Sequence, residues 1–210
     1  MDIQNTLLLL NQALNGPKPG LKAQLRMATE PRPGHEAYDE VKDSCRVAGV
    51  LVLLYPQDNR LHLVLTRRTA RVDHHQSQIS FPGGQQEKGE DIEQTALREA
   101  WEELAVHSES IRILGRLTPL YVPPSHYCIY PVVATTDERP GFQPSEEEVA
   151  EVIEVPVDHL LEPQSVHEET WTYRGAQYKV PFFLFGEHKI WGATAMVLAE
   201  LMAVWPKPQS

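Results

Sequence analysis

The stretch FPGGQQEKGEDIEQTALREAWEELAV, residues Phe81–Val106, decides the fold of this chain. It opens with a Pro-Gly-Gly turn, which lets the backbone change direction and leaves its amide and carbonyl groups accessible. From Glu93 to Leu104, apolar residues recur at intervals of three and four, which predicts a helix with one buried face. The stretch is therefore expected to lead from a strand, through an open loop, into an amphipathic helix.

Three glutamates, Glu99, Glu102 and Glu103, stand on this predicted helix. Their spacing places them on one face within a single turn, where like charges repel and weaken an isolated helix. A divalent cation would offset that repulsion, and hard oxygen ligands at this density suit Mg²⁺ or Mn²⁺. Taken alone, the same glutamates are also explained by a solvated helix face with Arg98 nearby.

The segments on either side predict an α+β structure. Helical spacing over 3–14 ends at Asn15-Gly16-Pro17, and the proline-containing segment 17–44 is typical of an irregular arm. A mixed β-sheet packed between helices is the expected architecture, with an N-terminal helix and arm at 1–44 and a main domain at 45–210. Strand-like runs cover 46–55, 61–68, 111–117, 127–134, 149–155, 170–173 and 178–185, and helical patterns cover 157–161 and 190–204.

Charge and composition restrict the function. The 210 residues carry a formal net charge of -10, which argues against a surface that holds nucleic acid or anionic lipid by charge alone. The run TLLLL at Thr6–Leu10 lacks a basic flank and is too short for a signal peptide or a membrane span. We therefore expect a cytoplasmic protein with neither nucleic-acid nor membrane partners.

Cysteine usage points to the same compartment. Cys45 and Cys128 cannot build a four-cysteine zinc site, and a chain of this length does not depend on a disulfide for its stability. The expectation is two unpaired cysteines in a reducing environment.

The spacing around the glutamates resembles the signature of the Nudix hydrolases, GX5EX7REUXEEXGU, in which U is aliphatic. Gly84 is followed after five residues by Glu90 and after seven more by Arg98, and every charged position matches. Ala100 stands at the first aliphatic position, and Ala105 replaces the final glycine, a residue tolerant of left-handed backbone angles. The resemblance implies the Nudix fold, with an N-terminal helical arm added here, and hydrolysis of a diphosphate linked to a nucleoside.

The resemblance also implies the metal ligands. They would be the backbone carbonyl of Gly83 and the side chains of Glu99, Glu102 and Glu103, holding Mg²⁺ or Mn²⁺ against the diphosphate.

Catalytic roles follow from the same resemblance. Arg98 would orient a glutamate through a charge-assisted hydrogen bond, and Glu90 would support the loop. The catalytic base varies within the family and is either a glutamate of the motif, such as Glu102, or a carboxylate from a later loop. Glu148 is the candidate of the second kind, and a solvated acidic turn is the alternative for it.

Outside the motif, the chain resembles the coenzyme A pyrophosphatase branch, which carries LLTXR(S/A)X3RX3GX3FPGG before it. The segment 65–84 keeps the LTXR start and the FPGG end, but has Thr69, Asp73 and Ser77 at three fixed positions. Asp73 matters most, because an anion replaces an arginine suited to phosphate. Segments 120–133, 148–163 and 190–201 also resemble this branch, so the similarity covers most of the chain from about residue 45.

The implied substrate is a small nucleotide, coenzyme A, cleaved to 3′,5′-ADP and 4′-phosphopantetheine. Candidate phosphate contacts are Arg67, Arg68, Arg71 and His75, for which an exposed strand end or a polar loop is the alternative. Asp73 supports a second hypothesis, hydrolysis of ADP-ribose, NADH or another dinucleotide. A third, a nucleotide-sensing module without catalysis, has the complete glutamate set against it. Whether the N-terminal helix supports a homodimer stays open.

Overall fold

The fold was analysed in a computed structural model that describes residues 2–32, 38–69 and 78–207. The strands in these ranges are β1 (Arg46–Gln57), β2 (Arg60–Arg68), β3 (Ile79–Ser80), β4 (Gly83–Gln85), β5 (Arg112–Arg116), β6 (Leu120–Val122), β7 (Tyr127–Thr135), β8 (Val149–Pro156), β9 (Val166–Tyr173), β10 (Ala176–Phe185) and β11 (His188–Trp191). The α-helices are α1 (Ile3–Leu14), α2 (Leu21–Gln24), α3 (Tyr38–Val41), α4 (Ile92–Leu104), α5 (Val157–Leu161) and α6 (Gly192–Val204).

The main sheet is mixed, as predicted. Its order is β3-β2-β1-β7-β5, with β4 added to β1, β6 to β7 and β8 to β2. Strands β1 and β7 are parallel, whereas β1 and β2 form the predicted hairpin. That hairpin turns at Asp58 and Asn59, which both have positive φ, and this is the geometry that two-residue hairpin loops favour.

Helices cover both faces of this sheet. Side chains alternate along β1, so Leu51 and Leu53 pack against α4, while Val52 and Leu54 join the core that includes α6. All four are fully buried. The chain therefore has the predicted α+β architecture, a mixed sheet between helices, and a smaller sheet of order β11-β10-β9 extends it.

The N-terminal segment packs against the rest of the chain. Helix α1 follows the predicted bounds and buries Leu7, Leu10 and Leu14 in the main core. The arm after it contains α2 and α3 rather than irregular backbone alone. A division of the chain near residue 44 stays a prediction.

Two short strands differ from the sequence-based expectation. Ile190 and Trp191 continue the apolar pattern of the last helix, yet they belong to β11, which pairs with β10, and α6 begins only at Gly192. The predicted open turn at Gly83 is strand β4, in which Gly83 lies opposite Val50 of β1. Both segments are too short for a periodic pattern. Strand β4 pairs with the distant β1, whereas β11 forms a tight hairpin with β10.

The two cysteines form a disulfide, so the expectation of unpaired cysteines was wrong. The parallel register of β1 and β7 places Val47 opposite Cys128, and this brings Cys45 to a Cα–Cα distance of 5.8 Å from Cys128. A cytoplasmic location therefore stays a prediction without support from the cysteines.

None of the helices in the described ranges combines the length and the apolar composition needed to cross a membrane.

Candidate active site

Helix α4 presents the glutamates because its start and its buried face are both fixed. The side chain of Asp91 accepts a hydrogen bond from the backbone amide of Gln94 at 2.9 Å, and the side-chain oxygen of Gln94 accepts one from the backbone amide of Asp91 at 2.8 Å. Ala96 and Ala100 are fully buried against the sheet. The opposite side of the helix is thereby turned toward β4 and solvent.

Arg98 joins the carboxylates of the motif. Its Nε donates to Glu90 at 2.6 Å, and its Nη1 donates to Glu99 at 2.8 Å and to Glu102 at 2.9 Å. Glu90 also accepts from the amide of Glu87 and from the hydroxyl of Thr95. The hydrogen bond from Arg98 is the main reason that the pKa of Glu90 falls to about 2.

Glu103 lies deeper than the other glutamates of the motif. Its side chain is almost wholly buried, and it accepts two long hydrogen bonds, from the amide of Gly83 at 3.4 Å and from the hydroxyl of Thr66 at 3.3 Å. Burial raises its pKa to about 7, and the nearby charge of Arg68 offsets part of that increase. Burial is also the largest cause of the raised pKa of Glu99.

The two glycines of β4 permit close packing on different sides, Gly84 against α4 and Gly83 against β1. A Cβ on Gly84 would collide with the carboxylate of Glu99. A Cβ on Gly83 would come within 2.7 Å of the backbone of Gly49 and Val50. The Pro-Gly-Gly sequence therefore permits close packing rather than an open turn, and it places the Gly83 amide against Glu103.

Glu148 lies in the same electrostatic cluster. It occupies the turn before β8, where its carbonyl accepts from the amide of Thr69 at 3.0 Å. The amide of Ser145, in the same segment, donates to the carbonyl of Glu103 at 2.9 Å. The negative charge of Glu148 contributes to the raised pKa of both Glu99 and Glu103. The later carboxylate suggested by the sequence is thus brought to the motif.

The predicted phosphate-binding residues have different environments. Arg68 stands near Glu103, and its buried Nε has no hydrogen-bond partner among the described residues. Arg67 instead forms an ion pair with Glu151 at 2.9 Å, so its charge is already neutralised. Arg71 and His75, with Asp73 between them, lie in the segment 70–77 outside the described residues.

The proposed ligands are oxygen atoms of the kind that bind divalent cations, but their side chains are not arranged around a common point. Across the described residues, no three His, Cys, Asp or Glu side chains are arranged as a group that could hold a metal ion. Glu99 and Glu102 are instead turned to Arg98. The negative charge of Glu99 raises the pKa of the buried Glu103, and two such carboxylates are oxygen ligands that a hard divalent cation stabilises.

Sequence reasoning missed Gln85 and Thr66. Gln85 accepts a bond from Arg98 through its backbone carbonyl, at 3.1 Å, and Thr66 donates to Glu103. Gln85 lies at an unspecified position of the motif, so the motif offers no signal for it. Thr66 belongs to the LTXR segment, and its proximity to Glu103 requires the sheet register.

The comparison with protein families agrees with this geometry. Residues 46–174, more than half of the chain, match the NUDIX domain. The chain belongs to the Nudix family. As a Nudix hydrolase it carries Arg98 and three glutamates of the motif on α4, with the motif glycine, Gly84, packed against that helix.

Curated Nudix relatives cover most of the chain. An uncharacterised Nudix hydrolase NudL from Photorhabdus laumondii is 35% identical over 164 residues, 77% of this chain and 86% of that protein. The human mitochondrial coenzyme A diphosphatase NUDT8 is 37% identical over 158 residues, 73% of this chain and 62% of that protein. A solved MutT/nudix family structure from Enterococcus faecalis matches 80% of this chain and 62% of that one, with a TM-score of 0.48 and 17% identity. The structural likeness is too distant to inform function.

Proposed function

We propose that this Nudix hydrolase cleaves coenzyme A or its derivatives to 3′,5′-ADP and 4′-phosphopantetheine. The observation that carries the proposal is the 37% identity to a mitochondrial coenzyme A diphosphatase over 158 residues. The LTXR and FPGG elements before the motif support the same substrate. The chain matches 62% of that relative's length, so the substrate remains part of the proposal.

The proposed metal ligands are the carbonyl of Gly83 and the carboxylates of Glu99, Glu102 and Glu103. Mg²⁺ or Mn²⁺ bound there would neutralise the charge of the diphosphate and make a water more acidic for in-line attack. Arg98 holds Glu99 and Glu102 through charge-assisted hydrogen bonds, and both carboxylates would have to turn toward the cation when it binds.

The proposed base is Glu148 or Glu102. Glu148 has the advantage of position, because its turn is tied to the Glu103 backbone through Ser145 and to β2 through Thr69. It is half-buried and its side chain is not engaged by Arg98, whereas Glu102 is.

Arg68 is the described arginine best placed for a substrate phosphate. It lies beside Glu103 with an unpaired buried Nε, and its guanidinium geometry suits phosphate oxygens. Arg67 is a weaker candidate because of its ion pair with Glu151. For Arg71 and His75 the proposal rests on the sequence alone.

A second substrate class has one observation in its favour. Asp73 replaces the arginine of the coenzyme A branch, which favours ADP-ribose, NADH or another dinucleotide. A homodimer and a cytoplasmic location stay predictions from the sequence.

The test is hydrolysis of a substrate panel. The protein is incubated with Mg²⁺ or Mn²⁺ and coenzyme A, ADP-ribose or NADH, and phosphorylated products are separated by chromatography. We expect coenzyme A to be cleaved fastest, and Glu103→Gln to abolish turnover while the exposed Glu109→Gln keeps it. Preference for ADP-ribose or NADH would transfer the proposal to the second class. Cleavage of none would support a module that binds nucleotides without hydrolysing them.

A further inference from the structure

Gln85, the last residue of β4, is held by two side chains that have no part in the proposed reaction. Nη2 of Arg46 donates to Gln85 Oε1 at 2.7 Å, and the hydroxyl of Tyr127 donates to the same oxygen at 3.0 Å. The guanidinium of Arg46 also lies over the Tyr127 ring, 4.5 Å from its centroid. We call Arg46 and Tyr127, which bind Gln85 together, the Gln85 clamp.

The clamp stands on a rigid base. Arg46 and Tyr127 are the first residues of β1 and β7, and the parallel register places them opposite each other. The disulfide between Cys45 and Cys128 joins the same two strand ends. Because backbone pairing and a covalent bond fix the backbone of both residues, only their side-chain freedom is lost when they bind Gln85.

Gln85 connects the clamp to the active site. Its backbone carbonyl accepts from Nη2 of Arg98 at 3.1 Å, and Nη1 of the same guanidinium binds Glu99 and Glu102. A guanidinium is planar and rigid, so a shift at one nitrogen turns the whole group. Gln85 and Glu99 also line one cleft of about 520 Å³. The position of Gln85 therefore affects where the motif carboxylates point.

We propose that Arg46 and Tyr127 are positioning residues for hydrolysis, acting through Gln85 on Arg98 and the carboxylates it holds. The inference rests on the proposed roles of Arg98 and the glutamates, but not on coenzyme A as the substrate. Direct contact of Arg46 with substrate is the competing role. It is disfavoured because Nη2 of Arg46 is already bonded to Gln85 and the guanidinium is stacked on Tyr127.

Kinetics separate the two roles. Tyr127→Phe keeps the ring under Arg46 and removes the hydroxyl bond to Gln85, and Arg46→Met removes the second bond. With whichever diphosphate the wild-type protein hydrolyses, we expect kcat to fall about 3- to 10-fold in each variant and KM to stay within about twofold. In a Gln85→Ala background, Tyr127→Phe should cause no further change in kcat, because the acceptor of the Tyr127 hydrogen bond is already absent.

Tyr130→Phe is the matched control. It makes the same chemical change on the same strand, where the hydroxyl contacts Tyr38 at 2.8 Å and is not in contact with Gln85. This variant should keep both kcat and KM. A raised KM with unchanged kcat in Arg46→Met would assign that residue to substrate binding. Unchanged constants in both clamp variants would leave the clamp only a structural role. Either result overturns the proposal.

A second measurement does not depend on turnover. Nε of Arg98 donates to Glu90 at 2.6 Å, so its proton should exchange slowly in ¹⁵N–¹H NMR spectra. We expect exchange at least about threefold faster in Tyr127→Phe than in the wild-type protein or Tyr130→Phe. If no substrate is cleaved, the proposed function fails while this comparison still tests the clamp. Equal exchange in all three proteins would overturn the inference.

Discussion

Glu103 is a buried carboxyl group that keeps its proton up to nearly neutral pH in the folded protein. Its pKa is raised from the ordinary 4.5 to about 7, chiefly by burial. A raised carboxyl pKa means that the folded state binds a proton more tightly than the unfolded state. In the absence of metal, folding stability should therefore fall as the pH rises from about 4.5 through 7, and then level off.

Glu103→Gln tests this dependence. Gln keeps the shape without the charge, so the stability of this variant should not fall as the pH rises. Measured by urea unfolding in EDTA, its free energy of unfolding relative to the wild-type protein should increase by about 1–3 kcal/mol from pH 5 to pH 8. Its activity should nevertheless be lost. Glu102→Gln is the control, because that side chain is 47% exposed and the same change there removes no buried charge. Parallel stability curves for wild-type and Glu103→Gln proteins would contradict the assignment.

At the scale of the element, the end of α4 carries a residue unsuited to its backbone. Ala105 adopts the left-handed conformation, φ 54° and ψ 36°, at the position where the Nudix signature has glycine. Ala105→Gly should stabilise the protein by about 0.5–1 kcal/mol in chemical denaturation, because glycine adopts this conformation without a steric penalty.

The same substitution in a right-handed helix provides the control. Ala203→Gly in α6 replaces an exposed alanine and should destabilise the protein by up to about 1 kcal/mol. Opposite signs for the two variants are the expected outcome. A loss of stability in both would mean that Ala105 contributes contacts that outweigh the backbone penalty.

The glycines of β4 offer a second pair of variants. In Gly84→Ala the new methyl group meets the end of a flexible side chain, Glu99, so stability should change by less than about 1 kcal/mol while activity falls by as much as about 10²-fold. In Gly83→Ala the methyl group meets the backbone of β1, so the fold itself should lose about 3 kcal/mol or more. Thermal melts and kinetics of both proteins check this separation. Full activity in Gly84→Ala would show that Glu99 moves without cost.

The elements that sequence reasoning predicted are those with a long local pattern. Helix α4 has apolar positions over several turns, and β1 and β2 are long strands joined by a recognisable turn. Strands β3, β4, β6 and β11 have two to four residues, too few for a periodic pattern, and only their pairing with longer strands defines them. The motif likewise predicted that Glu99 and Glu103 share one helix. The hydrogen bond from Tyr127 to Gln85, however, depends on a register between strands that spacing along the chain does not encode.

At the scale of the whole molecule, a buried carboxylate joins both ends of the chain. Glu200 of α6 accepts from the Gln24 amide at 2.8 Å, from the Thr118 hydroxyl at 2.6 Å and from the Gly20 amide at 3.2 Å. It thereby links the N-terminal arm, the segment between β5 and β6, and the last helix. Removing such a buried acceptor leaves several donors unsatisfied.

Glu200→Gln should therefore destabilise the protein by about 1–3 kcal/mol in urea unfolding, and the arm should become more accessible to proteases. The exposed Glu109→Gln should stay within about 0.5 kcal/mol of the wild-type protein. Equal stability of the two variants would mean that the arm is held by its apolar contacts, such as those of Met27 and Ala28, without help from this network.

The bond between Cys45 and Cys128 makes a closed loop of the chain, and this loop contains Gly83, Arg98 and all four glutamates of the motif. Glu148, the later carboxylate, lies outside it. A single proteolytic cut anywhere between residues 46 and 127 would leave both pieces covalently attached and migrating as one species on a non-reducing gel. The proposed ligands would thus survive backbone cleavage within the loop as one molecule, whereas a cut between residues 129 and 148 would separate β8 from them.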